Sequence, residues 1–212
     1  MAERGRMMSS EANQKAEAFK LLMEEKIQSI VKEFAEGKIS REQFHVLYER
    51  YSARLSIATH ALMTGNPDAV NIAQGGPPTI AVRDEYMGKV QGLLIYHNQG
   101  AKILEILGDF PIAFSLLEPT LEDFTLQMIA KQFIDRRTEK VGKKDWLLFL
   151  PGQFTTTVVL FINEPSPQQI RELERLRHDF EQANRAQLAK EHIDSNTLAY
   201  PFLIFVKKKF GK

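Results

Sequence analysis

The stretch VQGLLIYHN, residues 90–98, followed after Gln99-Gly100 by AKILEILG, residues 101–108, reads as two strands joined by a tight turn, with Lys102 and Glu105 marking a polar face on the second. A second pair lies further along. WLLFL (146–150) and FTTTVVLFIN (154–163) flank a Pro151-Gly152 turn, and both are apolar on both faces, the pattern of strands covered on two sides or lying at a subunit interface. Between the pairs, Thr120 is placed to cap a helix running to about Arg137, whose apolar residues Leu121, Phe124, Leu126, Met128, Ile129 and Phe133 spread over more than one stripe. Ser166-Pro167-Gln168-Gln169 then opens a last helix with a cap, an N1 proline and a capping-box glutamine, and Ile170, Leu173, Leu176, Phe180, Ala183 and Leu188 give it one apolar face. From Val90 to Leu188 the order is strand, strand, helix, strand, strand, helix. It predicts an α+β fold with an antiparallel sheet flanked by helices.

Outward from this stretch the composition changes. Residues 1–64 contain no proline, and Phe19, Met23, Ile27, Ile30 and Phe34 recur at helical spacing up to Gly37, which suits a left-handed position just past a helix end. Ser40-Arg41-Glu42-Gln43 is a capping box for a second helix, whose stripe Phe44, Tyr48, Tyr51, Leu55, Ala58, Leu62 alternates steps of four and three, as in helices packed side by side. The expected organisation is therefore a helical hairpin over 1–64, a linker over 65–78 (GNPDAVNIAQGGPP), and an α/β sensor or adaptor domain over 79–212. Tyr200–Val206 is expected to be a final strand whose end is guarded by Lys207, Lys208 and Lys209.

The chain of 212 residues carries a net charge of +1, so no global basic field invites nucleic acid, and the basic run 131–144 has only Phe133 interleaved with it. Cysteine is absent, which excludes disulfides, thiolate zinc sites and cysteine nucleophiles. The N-terminus lacks the apolar core of a signal peptide, and no apolar run approaches the roughly 20 residues of a membrane helix. A cytoplasmic protein with neither membrane nor nucleic-acid partner is expected.

Catalytic chemistry finds little to build on. His45, His60, His97, His178 and His192 have no paired ligand spacing, no G-x-S-x-G elbow is present, and Pro77-Pro78 removes amide donors beside Gly75-Gly76, where a phosphate loop would need them. His97 is the best single candidate for a site residue, although a satisfied histidine explains it more simply. Glu118, Glu122 and Asp123 are available for acid/base work, but acidic residues at a helix start follow from the helix dipole alone. The chain is therefore expected to be no enzyme and to hold no metal or cofactor.

Gly92-Leu93-Leu94-Ile95-Tyr96-His97-Asn98-Gln99-Gly100, with Thr157–Ile162 leading into the helix from Pro167, resembles the roadblock and profilin-like group of domains and, less closely, GAF and PAS sensor domains. That resemblance implies a non-enzymatic homodimer that binds small GTPases or motor components, with the helix from Leu121 to Arg137 at the dimer interface. The extra final strand and the large N-terminal hairpin depart from the group. Residues 34–44 also resemble the short C-terminal domain appended to many bacterial proteins, although any helical hairpin needs the same cap chemistry. The leading expectation is a regulatory or protein-interaction module in bacterial signalling, homodimeric through Leu121, Phe124, Met128 and Phe133 together with Tyr48, Tyr51 and Leu55. The alternative is a small-molecule sensor with its ligand between the sheet and the helix from Leu121.

Overall fold

Thr155–Ile162 forms β5, and every residue of it but Ile162 is buried, because consecutive β-branched and aromatic side chains fill both faces of a pleated strand. In the computed structural model β5 is the middle of a five-stranded antiparallel sheet. The structure describes residues 2–64, 75, 77–190 and 192–201, with side chains from residue 13 onward. The chain divides into two compact units, Met1–Met87 and Gly88–Lys212.

In the second unit the strands are β1 (Lys89–His97), β2 (Lys102–Gly108), β3 (Arg137–Lys140), β4 (Asp145–Pro151) and β5, in the order β2-β1-β5-β4-β3. Both expected hairpins are present, β1 with β2 and β4 with β5, and β1 joins them by pairing with β5 in antiparallel register from Lys89↔Ile162 to His97↔Thr155. Alternation along the strands then builds two cores. Leu93, Ile95, Leu148, Leu150, Val159 and Phe161 pack with Ile170, Phe180 and Leu188 of the helix Pro167–Leu188. Leu94, Tyr96, Leu147, Phe149, Val158 and Leu160 pack with Leu117, Leu121 and Phe124 of the helix Phe114–Ile129. The unit is an α+β sandwich with the sheet as its middle layer.

The helix over the second face departs from the expectation at both ends. It begins at Phe114, so Thr120 lies within it rather than capping it, and its hydroxyl donates to Glu139 Oε1 at 3.2 Å. Pro119 sits inside this helix, where it forgoes one backbone bond, and such a proline reads in sequence as a helix start. It ends at Ile129, eight residues before Arg137, in a Schellman turn: Lys131 N–H donates to Met128 O and Gln132 N–H to Gln127 O, with Lys131 at φ 54°. The left-handed residue is a lysine. No glycine announces the stop.

The last helix starts as expected. Gln169 N–H donates to Ser166 Oγ at 3.3 Å, Ser166 N–H donates to Gln169 Oε1 at 2.9 Å, and Pro167 occupies N1. Ser166 is buried, so Ser166→Ala should cost about 1 kcal/mol in chemical denaturation, and a negligible loss would mean that the cap carries no weight. Beyond this helix the chain is described to Pro201. The expected final strand Tyr200–Val206 lies outside the described residues from Phe202 onward.

The first unit is a hairpin of α1 (Ala2–Ala35) and α2 (Arg41–Thr64), with Ala16, Phe19, Met23, Ile30, Leu47, Tyr51 and Ala58 in its core. Gly37, at φ 73°, closes α1 in a Schellman turn, with Gly37 N–H donating to Phe34 O and Lys38 N–H to Glu33 O. Only half of the second capping box forms: Gln43 N–H donates to Ser40 Oγ at 3.1 Å, but the Gln43 side chain donates to Arg83 O instead of reaching back. Arg83 belongs to a short helix, α3 (Thr79–Tyr86), whose guanidinium pairs with Glu33 and whose Val82 enters the same core. The chain therefore divides between residues 87 and 88, nine residues after the end of the expected linker. Residues 65–74 and 76 of that linker lie outside the described residues; at its end, Gly75 O and Pro77 O accept from Arg54 and Arg50, so carbonyls rather than amides point at the charged groups.

With the helices of the second unit numbered α4 (Phe114–Ile129) and α5 (Pro167–Leu188), the two edges of its sheet differ. Edge strand β3 is absent from the sequence expectation because its RTEK is wholly polar. Arg137 pairs with Asp123 of α4 at 2.6 Å and stacks over Phe124, and Lys140 lies over the Trp146 ring at 5.4 Å. Such charged strands discourage edge-to-edge pairing. On the other edge, Ile103 and Ile106 of β2 lie opposite Tyr96 and Leu94, on the α4 face, and are 40% and 47% exposed.

Candidate functional site

Tyr96 is the residue around which a site is built. Strand alternation turns it toward α4, where it is only 6% exposed, and its ring packs against Phe114 with centroids 6.0 Å apart. Above it, α4 carries Glu118, Glu122 and Thr125 at helical spacing, so these side chains share one flank of the helix. Together with Phe114, Leu121, Leu126 and Ala101 of the β1–β2 turn they line an open groove of about 430 Å³. Ala101 adopts φ 47°, the left-handed region that a glycine would occupy more easily.

The polar groups of this groove are unspent. Among the described residues the Tyr96 hydroxyl makes no hydrogen bond, and neither Glu118 nor Glu122 has a hydrogen bond or an ion pair, whereas Thr125 Oγ1 donates to Leu121 O at 2.9 Å and keeps its lone pairs available. The Tyr96 phenol is held above its ordinary 10, first by burial and then by the charges of Glu122 and Glu118. Because α4 begins at Phe114, Glu118 and Glu122 stand in its second and third turns. The helix dipole, which acts within the first turn, does not account for them there. Asp123, the third acidic candidate, is engaged: Arg137 and Gln127 both donate to it, and they hold its carboxyl below the ordinary range.

His97 is fully buried on the opposite face. Gly100 N–H donates to its Nδ1 at 2.9 Å, which leaves the proton on Nε2 to be donated to Leu188 O at 3.1 Å. Burial lowers its pKa, so the neutral ring is favoured. Both nitrogens are committed to tying the β1–β2 turn to the end of α5.

Beside it, at the same end of the sheet, Glu181 of α5 accepts from Gln153 N–H, Phe154 N–H, Thr155 N–H and Thr155 Oγ1 at 2.8–3.1 Å, and pairs with Arg177 at 3.1 Å. Gly152 closes over this cluster so tightly that a Cβ there would lie 2.2 Å from Arg177 and 2.4 Å from Glu181. A second groove, of about 310 Å³, lies nearby between Arg136, Glu174 and Arg177. Its arginines and Glu174 are already paired, Arg136 with Glu174 at 2.7 Å and Arg177 with Glu181, while Asp135 accepts from Arg136 N–H.

The seven residues expected at an interface separate into groups. Leu121 and Phe124 are buried under the sheet, and Met128 is partly buried beside them. Phe133 lies past the helix end and is 89% exposed. In the first unit Tyr51 is in the core, Leu55 packs against it, and Tyr48 stands exposed beside Phe44. The apolar side chains that α4 itself leaves most exposed are Leu116, Leu126 and Ile129, at 61%, 66% and 74%.

Comparison of the chain with known protein families, with curated proteins and with solved structures finds no match. Among the described residues no three potential ligands come together to hold a metal ion, and no helix is long and apolar enough to cross a membrane.

Proposed function

We propose that the protein is a non-catalytic regulatory or protein-interaction module of bacterial signalling, cytoplasmic and homodimeric, whose outer α4 surface docks a second copy and whose further partner is a small GTPase or another signalling protein. The observation that carries this reading is the exposure of Leu126 and Ile129 on α4, continued by Phe133, beyond the core residues of the same helix. A soluble domain gains by covering such side chains, each worth about 1.5–3 kcal/mol when fully buried. The pattern resemblance to the roadblock and profilin-like group supports the same reading. In this arrangement Leu121 and Phe124 hold α4 in place, while Leu126 and Ile129 meet the partner.

The paired substitution Leu126→Glu with Ile129→Glu tests it. Both positions are exposed, so thermal stability should change little, while the mass in sedimentation equilibrium should fall to that of the 24.3 kDa monomer. An unchanged dimer would move the contact elsewhere.

The groove beside Tyr96 supports a second reading, a sensor that holds a small molecule between β1 and α4. Its convergent polar groups and apolar walls are what a ligand site requires. The two readings meet at Leu126, which lines the groove and also stands on the outer surface of α4, so a ligand there would lie at the margin of the docking face.

A further inference from the structure

We propose that the groove between β1 and α4 binds a free small organic cation, with an amidinium, guanidinium or amine head seated on Glu118, Glu122 and the Tyr96 hydroxyl and an apolar stem lying along Phe114 and Leu126. This rests on the second reading above and names its ligand class. Two independent features support it. The Tyr96 hydroxyl is the polar end of a side chain only 6% exposed, it belongs to the groove lining, and no described residue satisfies it. The ring is buried while its oxygen opens to the groove, so a donor and acceptor stands at the groove floor with no protein partner among the described residues.

The second feature is charge. Glu118 and Glu122 are one helical turn apart, and like charges at that spacing destabilise a helix. Three carboxylates of this unit are matched, Asp123 by Arg137, Glu174 by Arg136 and Glu181 by Arg177, whereas Glu118 and Glu122, which face one groove together, have no ion pair among the described residues. A planar cation bridging them removes the repulsion, gains charge-assisted hydrogen bonds, and gives the Tyr96 oxygen a donor. A volume of about 430 Å³ accommodates a head group with a ring or short chain attached. The apolar walls favour a stem over a bare inorganic ion.

The probe is benzamidinium, with neutral benzamide as its near-isostere, titrated into the full chain and followed through the backbone amide signals of Ala101 and Thr125. Saturable binding of benzamidinium with shifts at both amides is expected, weakened by added salt, with benzamide bound at least about tenfold more weakly because it lacks the charge. Glu118→Gln with Glu122→Gln should weaken benzamidinium about tenfold or more, and Tyr96→Phe should weaken it severalfold while leaving the apolar wall intact. These variants should keep the wild-type melting temperature within a few degrees, which separates lost binding from lost folding. Equal binding of benzamide would overturn the cation and leave a sensor of neutral ligands. Absence of saturation by either compound, or shifts confined to amides elsewhere, would overturn the site itself. A blocked arginine tripeptide that binds more tightly than benzamidinium would overturn the free-ligand source and assign the same head group to a protein side chain.

Discussion

Glu181→Ala is expected to be the most damaging conservative-sized truncation in the sheet unit, with a loss of about 3–5 kcal/mol, because it removes the buried partner of a charge and the acceptor of several donors at once. Glu181 is 6% exposed and stands in for the strand pairing that the β4–β5 turn cannot make, accepting three consecutive backbone N–H groups, Gln153 to Thr155, and the Thr155 hydroxyl. Alanine leaves these donors and the Arg177 guanidinium without their acceptor. Glu181→Gln keeps the shape and one carbonyl oxygen but turns an amide NH2 toward donors, so its loss should fall between wild type and alanine. Urea denaturation checks both, and a loss under about 1 kcal/mol for alanine would show that water replaces the carboxylate without cost. Such a domain has only about 5–15 kcal/mol in total, so a populated unfolded fraction in the alanine variant at 37 °C is the practical expectation.

His97→Phe is the second. The ring volume is kept, so the loss reports the two hydrogen bonds, and leaving the buried Leu188 O and the half-buried Gly100 N–H without their partner should cost about 2–4 kcal/mol together. The same residue gives the wild type a pH signature. Burial places the folded pKa of His97 below 6.5, so the unfolded chain takes up the proton more readily, and stability contributed by the neutral ring is full above the unfolded value and lost as pH falls from there through the folded pKa. Wild type should therefore weaken on going from pH 7 to pH 5 by more than His97→Phe does. Parallel pH profiles for the two proteins would show that this histidine does not titrate with folding.

What the sequence made legible follows from which rules its residues obey. Gly37 and Ser166 announce their helix ends because glycine takes the left-handed position without strain and serine is a side chain of the right length for the cap. The end of α4 was hidden since Lys131 adopts that same conformation by tertiary constraint, and its start was hidden behind Pro119, which tolerates a helix interior less often than a helix start. Strand β3 was illegible for a different reason: Arg137 and Glu139 face α4 through polar contacts, so no apolar alternation marks it. The candidate groove was half legible. Glu118 and Glu122 are visible in the sequence but read as acids of a helix start, and Tyr96 reads only as one residue of a strand, because only the placement of α4 over β1 brings the three together.

The outer surface of α4 as a docking face for a second copy is the central claim, and sedimentation equilibrium of the unaltered chain at micromolar concentration tests it most directly. The account predicts a mass of twice 24.3 kDa that dissociates on dilution. A mass of 24.3 kDa across the whole range would contradict it.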